Sequence, residues 1–422
     1  MRIMIIGGGG REHVLAWKLS QSPQVDSIYC VPGNAGIAKL ADCHDADPED
    51  LPALTGLAHN KGIDLTVVGP EAPLVAGIVD HFMDKGLTIL GPERKAALLE
   101  GSKGWAKEFM AEYNIPTADF RIFKSYDEAR KFIGKSSGKM VVKADGLAAG
   151  KGVFVTDSPA EAESALRQIM IDRIFGDAGD KVVIEERLVG EEVSLLALTD
   201  GKTFLTMPSS QDHKAVGEGD TGPNTGGMGA YSPAPIMTEE ITRFVEENVF
   251  RPLLEGMQKR GLLYRGVIYA GLMITEEGPR ILEFNARFGD PETQALLPLF
   301  DGDLAPLLLT AAEGEIAGEW KWKNEVTACI VMASGGYPGA YEQGKIISGL
   351  EEADLDPHSV VFHAGTVSKA GKILTAGGRV LGVTSWGRDL QSTLDRAYSI
   401  VDKIKFEGAY YRRDIACRAL KK

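Results

Sequence analysis

Four apolar residues, Ile3–Ile6, run directly into four glycines, Gly7–Gly10, and the glycines open onto a helical pattern from Arg11. A short apolar run is a buried strand, and a glycine turn between it and a helix makes the chain double back over that strand. The same alternation continues. Runs at Ser27–Val31, Leu65–Val68 and Thr88–Leu90 are separated by helical patterns at Arg11–Gln21, Asp50–Asn60 and Leu74–Lys85. Strands alternating with helices predict βαβ units, a parallel sheet and right-handed crossovers, hence an α/β domain over residues 1–102.

The texture changes near Ser102. Runs at Phe120–Phe123, Met140–Lys143, Val153–Thr156 and Lys181–Arg187, with helices from Tyr126 and Ser158, predict a compact α+β module. Antiparallel-type strands follow at Val193–Leu198 and Phe204–Met207. Pro208 to Pro235 carries six glycines, four prolines and no periodicity, which reads as a long functional loop. A long helix (Glu239–Lys259), strands at Val267–Ile274 and Arg280–Asn285, and two helices lead to about residue 320. Strands near Val326–Met332, Val360–Val367 and Val380–Thr384 and a helix from Leu390 predict a small α+β cap. The expected domains are 1–102, 103–325 and 326–422.

Lys plus Arg number 46 and Asp plus Glu 59, a net charge of −13 without a basic run, which argues against a nucleic-acid or membrane-surface binder. The opening apolar run is too short for a signal peptide, and no window approaches the ~20 apolar residues of a membrane span. Cys30, Cys43, Cys329 and Cys417 have no CxxC spacing and read as reduced thiols. A soluble, cytoplasmic protein is expected.

Four segments carry chemistry. Gly7–His13 follows a strand and opens a helix, where free amides and the helix dipole favour an anion. The GxGxxG fingerprint fails at Glu12 or His13, so the segment is a small-anion loop or a structural turn rather than a dinucleotide site. Lys143 to Val153 is a second glycine loop. It is no Walker A, because Gly146 to Lys151 is one residue short and Gly152 stands where Ser or Thr belongs. Two lysines flanking such a loop can neutralise polyphosphate, although an exposed basic hairpin would look the same. Glu185 to Ser194 is charge-rich and lies between strands, which suits either a solvated face or a hinge that offers backbone to a base and a carboxylate to ribose. Glu283 and Asn285 share one face of a strand and offer two hard oxygens suited to Mg²⁺. Arg287 has the same parity, and Asp290 is placed as an N-cap with Pro291 at the first helical position.

In order, Lys143…Lys151, Glu185–Leu188, Glu192 and Glu283-x-Asn285 resemble the ATP-grasp superfamily of carboxylate–amine ligases. Within it GGGGREH, VPGN (31–34), GPEAPL (69–74), SSQDHK (209–214), GPNTGGMGAYSP (222–233) and RFGDPETQ (287–294) are similar to the glycinamide ribonucleotide synthetase (phosphoribosylamine–glycine ligase) family, along essentially the whole chain. The resemblance implies an N-terminal parallel α/β (pre-ATP-grasp) domain, an ATP-grasp core with a mobile lid at about 120–190, and a small α+β C-terminal domain. It implies ATP-dependent joining of glycine to 5-phosphoribosylamine through glycyl phosphate, with Mg²⁺ or Mn²⁺, in a monomer or weak dimer. By motif, Lys103, Lys143 and Lys151 would contact phosphates, the Glu185/Glu186 backbone and Leu188 amide would hold adenine, and Glu192 the ribose. Glu283 and Asn285 would bind the metal. Asp212, Arg287 and Asp290 would line the reacting end, with Gly10, Asn34 and Glu71 near the phosphoribosylamine. Gly271 stands where many ATP-grasp enzymes carry another metal carboxylate.

Overall fold

The computed structural model describes residues 1–148, 151–353 and 355–420. Its first sheet is formed by β1 (Arg2–Gly7), β2 (Ser27–Pro32), β3 (Asp42–Cys43), β4 (Leu65–Val68) and β5 (Ile89–Leu90), in the order β3-β2-β1-β4-β5. Every pairing is parallel. Ile3–Ile6 are fully buried, as a parallel strand covered by helices on both faces requires. The expected parallel α/β architecture is observed, with two corrections: β3 is a strand the sequence reading did not include, and one helix is divided. The expected helix Leu74–Lys85 is two, Glu71–Ala76 and Ile78–Met83, because Gly77 between them takes a left-handed φ of 96°.

The next module is an antiparallel sheet of β6 (Phe120–Phe123), β7 (Lys139–Ala144), β8 (Val153–Asp157) and β9 (Val182–Glu186), in the order β6-β9-β7-β8. Helices Tyr126–Ile133 and Pro159–Met170 start at capping serines, Ser125 and Ser158, and bury Ala129, Ile133, Ala162, Leu166 and Ile169 in this module's own small core. The second glycine loop joins β7 to β8; its residues 149 and 150 lie outside the described residues.

Beyond a connection at 187–190, β10 (Glu191–Thr199) and β11 (Phe204–Thr206) pair antiparallel. The region expected to be one loop holds four short strands: β12 (Gln211–Asp212), β13 (Ala215–Gly217), β14 (Thr221–Asn224) and β15 (Gly229–Ser232). β16 (Gly266–Thr275) and β17 (Gly278–Asn285) complete the sheet β11-β10-β16-β17. The long helix is present, with a π-helical turn at Glu246–Phe250 between two α segments.

The last strands are β18 (Val326–Ala333), β19 (Ser359–His363), β20 (Thr366–Lys369), β21 (Lys372–Thr375) and β22 (Arg379–Gly387). The expected strand Val360–Val367 is divided. Its first part joins β22, and its second turns away into a hairpin with β21, because Gly365 sits close against Gly377. The five-stranded sheet β12-β15-β18-β22-β19 takes strands from both sides of residue 326, so one sheet bridges the middle and last thirds of the chain.

Candidate active site

The site is built around the end of β17. Leu282 is an extra residue there: Gly271 opposes Glu283 while Leu272 opposes Ile281. This bulge bends the strand and turns the Leu282 carbonyl toward Lys143, whose ammonium donates to it at 3.1 Å. Beyond the bulge Phe284 is buried, while Glu283 and Asn285 share the other, partly open face, as expected. A side chain on Gly271 would meet the Glu283 Cγ at 3.3 Å, so glycine there gives Glu283 clearance. Burial pushes the Glu283 carboxyl up, but the charges of Lys214, Lys143, Lys103 and Arg287 outweigh it and hold it below the usual carboxylate range.

These cations come from separate elements. Lys103 opens the helix Lys103–Glu112 and donates to the Gly146 carbonyl at 3.1 Å; burial lowers its pKa. Lys143 is nearly fully buried at the end of β7. Its Nζ lies 2.9 Å from Glu185, which also faces Lys107 at 3.1 Å. Burial brings Lys107 down to about 8. The Glu185 side chain therefore holds two lysines, while Glu186 accepts from the Asp119 amide at 3.0 Å. Leu188 lies on the connection between β9 and β10, outside any strand. Lys151 stands apart. It is exposed, and its Nζ donates to the Pro338 carbonyl of the last third at 3.3 Å. A cavity of about 640 Å³ lies against the Lys103 helix, lined by Trp105, Lys124, Gly146 and Phe175 among others; Lys103, Lys143 and Lys151 are not in its lining.

Asp212, Lys214 and Glu192 form a second charged cluster, from β12, the residues after it and β10. Lys214 bonds Glu192 at 2.9 Å, and its charge is the main reason the Glu192 carboxyl is held low. Asp212 is buried, and burial pushes it up to about 6, with Glu292 and Glu192 adding to the shift and Lys214 and His213 opposing it. Lys214 escaped the sequence reading, although the SSQDHK segment contains it.

Arg287 follows β17 in a turn. Its guanidinium reaches Glu71 (3.3 Å), Glu100 (3.0 Å) and the Asn285 side-chain oxygen (3.3 Å). It thereby ties the first domain to the metal candidates. Asp290 is a correction, since it caps no helix: the helix is Glu292–Leu296 with Pro291 as its flanking residue. The Asp290 carboxylate instead accepts from Gln294 (2.9 Å) and pairs with Arg379 (3.3 Å). Arg379 also donates to the Asp290 and Gly226 carbonyls, so it fixes both the reacting end and the glycine loop. Nothing in the local sequence marks Arg379, which lies about ninety residues away on β22.

The first glycine loop carries the chain's own anions. The Gly9 amide donates to Glu12, and the Arg11 amide faces Asp290 at 3.4 Å. Gly10 packs against Gln294, where a Cβ would come within 2.5 Å of the amide nitrogen. Asn34 is spent structurally, donating to the carbonyls of Gly8 (2.9 Å) and His363 (2.8 Å) and accepting from the amides of Gly36 and Ile37. Glu71 opens a short helix; burial raises its carboxyl, and Arg287 and Arg11 more than compensate.

A carboxylate and an amide oxygen on one strand face, beside three lysines, fit a hard divalent cation that shares its shell with phosphate oxygens. No helix among the described residues is long and apolar enough to cross a membrane.

Family models of phosphoribosylglycinamide synthetase match in succession: the N domain over residues 1–100, the ATP-grasp (A) domain over 101–293 and the C domain over 327–418. The chain is 48% identical over 417 residues to the phosphoribosylamine–glycine ligase of Caldanaerobacter subterraneus subsp. tengcongensis, covering 99% of each chain. It is 49% identical over 426 residues to that of Pseudomonas aeruginosa, covering 100% of this chain and 98% of the relative. The crystal structure of phosphoribosylamine–glycine ligase from Thermotoga maritima superposes with a TM-score of 0.87 at 35% identity, covering 99% of this chain and 100% of that one. Biotin carboxylase from Campylobacter jejuni, at TM-score 0.75 and 14% identity over 100% of this chain and 95% of its own, shares the fold alone.

Proposed function

The chain belongs to the phosphoribosylglycinamide synthetase family, and on that premise we propose which of its residues carry the ATP-dependent joining of glycine to phosphoribosylamine. It is an ATP-grasp ligase of purine biosynthesis. The observation that carries the residue assignment is that the charges of Lys103, Lys143 and Lys214, from three elements, together hold the buried Glu283 carboxyl low. Three cations from three elements around one carboxylate suit a phosphate-bearing substrate better than they suit packing.

In this reading residues 1–102 hold phosphoribosylamine near Gly10, Asn34 and Glu71, with Asn34 acting through the loop it fastens. Residues 103–325 form the ATP-grasp domain, with a lid at about 120–190, and 326–422 the C-terminal domain. Lys103 and Lys143 neutralise the phosphates of ATP, and Lys151 joins them from the glycine loop. The backbone at Glu185 and Glu186 and the Leu188 amide hold adenine, and Glu192 takes the ribose once Lys214 yields it. Glu283 and Asn285 hold the divalent metal, Mg²⁺ or Mn²⁺, which when bound would add charge neutralisation at the phosphates.

A glycine carboxylate oxygen attacks the γ-phosphorus, and the bond to the β-phosphate oxygen breaks to leave ADP. The amine of phosphoribosylamine then attacks the carbonyl carbon of glycyl phosphate, phosphate leaves, and the surplus amine proton goes to a base. In this reading Asp212, whose carboxyl lies at about 6, is that base, and Arg287 and Asp290 orient the reacting groups. Activation must precede amide formation because phosphate is a far better leaving group than oxide. The acyl phosphate hydrolyses readily, so a closing lid must exclude water. Positioning and charge do most of the work. We place the enzyme in the cytoplasm as a monomer or weak dimer.

The test is phosphate release with freshly generated phosphoribosylamine and glycine, alanine, aspartate or bicarbonate. Turnover with glycine alone is expected; equal turnover with another acid contradicts the substrate assignment.

A further inference from the structure

We propose that the C-terminal segment 410–418 is a clamp that positions the reacting end, with Arg412 acting through Asp220 and His213 on Asp212 and Lys214. The inference rests on the reading of Asp212 as part of that end, which Lys214 adjoins two residues along the same stretch.

Arg412 has no solvent exposure, an expensive place for a guanidinium unless every arm is engaged. Its Nε and Nη2 bond the two oxygens of Asp414 at 2.8 and 2.7 Å. Its Nη1 bonds Asp220 and the Ala215 carbonyl, each at 3.0 Å. Arg418 takes the other Asp220 oxygen at 2.5 Å. Further bonds run the same way: Asp414 accepts from the Gly219 amide (2.8 Å), Glu218 accepts from the Arg413 amide (3.1 Å), and Tyr410 donates to the Val216 carbonyl (2.8 Å). All of these reach the hairpin β13–β14 and its turn. A lone two-stranded hairpin is marginal in water, and all four residues of β14 are exposed, so its position needs support from outside.

The hairpin continues directly from the reacting end. Asp212 and Lys214 flank His213, and side chains alternate along extended backbone. Lys214 faces Glu192 in the cleft, whereas His213 faces the tail, where its Nε2 accepts from the Ala416 amide at 2.9 Å. With Nε2 accepting, Nδ1 is left facing Asp220 at 3.7 Å. One backbone stretch thus has its inner face in the cleft and its outer face held by a segment about two hundred residues distant. A small displacement of the tail moves the inner face with it, and misplacement of ~1 Å can cost on the order of 10²-fold in rate.

The test compares kcat and KM for ATP in the wild type, Arg412→Met, Arg418→Met, Lys214→Met and the Arg412→Met/Lys214→Met double variant, well below each melting temperature. Arg412→Met is expected to lower kcat about tenfold or more, with KM for ATP changed by less than about threefold. In the Lys214→Met background the same change should cost less than about twofold, since the two act as one unit. Arg418, whose side chain is 28% exposed, removes one guanidinium from Asp220 without opening a buried hole and carries the same direction of effect if Arg412→Met fails to fold. A lowered melting temperature with full kcat, or losses that multiply independently, overturns the clamp. Full activity in Lys214→Met overturns the reading of the reacting end and the clamp with it; a loss there that the arginine variants do not share overturns the clamp alone.

Discussion

Asp212 ties one side chain's environment to two measurable pH effects. Its carboxyl rises from the ordinary 3.8 to about 6 on folding, first through burial and then through Glu292 and Glu192. Between those values the native protein keeps a proton that the unfolded chain has lost, so stability falls as pH rises through the window. The penalty is absent below the lower value and complete above the upper one. Asp212→Asn should therefore raise the melting temperature more at about pH 7.5 than at about pH 4, and should remove an acid limb of kcat near 6. A melting difference of the opposite sign contradicts the buried, charge-crowded position. Arg287 makes a second case. Its fork serves Glu71, Glu100 and Asn285 together, which a single ammonium cannot do. Arg287→Lys is expected to lower kcat by about 10²–10³ with ATP affinity nearly unchanged, the magnitude of losing one oriented donor to a developing charge. Lys143→Ala should instead weaken ATP binding, by on the order of 1.5–3 kcal/mol, read by calorimetry.

Elements show where local pattern stops being informative. The strand–glycine–helix opening was legible because all its signals lie within a dozen residues, and so was the shared face of Glu283 and Asn285. The bulge at Leu282 was not, because it exists only relative to β16. Nor was the true role of Asp290: the rule that places Asp before Pro as a cap is local, whereas Arg379, which claims that carboxylate, comes from β22. The strands β12 to β15 were read as loop because glycine and proline mask any period, and β15 finds its partner β18 about a hundred residues later. Asp145, just after β7, accepts from the Gly104 amide (2.9 Å) and the Ser102 hydroxyl (2.9 Å) at the start of the Lys103 helix. It therefore joins the β6–β9 module to the helix that carries Lys103. Asp145→Ala should cost on the order of 1 kcal/mol, as loss of an N-terminal cap does, and should speed hydrogen exchange in residues 103–106. Unchanged exchange there would mean that Ser102 alone holds the turn.

At the scale of the molecule, the sheet β12-β15-β18-β22-β19 joins the middle and last thirds, while the β6–β9 module keeps a core of its own. A module with a private core can open without the rest. Hydrogen exchange in residues 139–186 should therefore slow on adding ATP and glycine while β18 and β22 change little; equal slowing in both would contradict a separately moving lid. Such closure matters only if there is an intermediate to protect from water. If the enzyme makes glycyl phosphate before it makes an amide, a carboxylate oxygen of glycine must leave with the phosphate. Glycine labelled with ¹⁸O in both carboxylate oxygens is turned over with ATP and phosphoribosylamine, and the released phosphate is weighed by mass spectrometry. One ¹⁸O is expected in each phosphate, carried across when the acyl phosphate is cleaved at its carbonyl carbon; unlabelled phosphate from productive turnover would rule the acyl phosphate out.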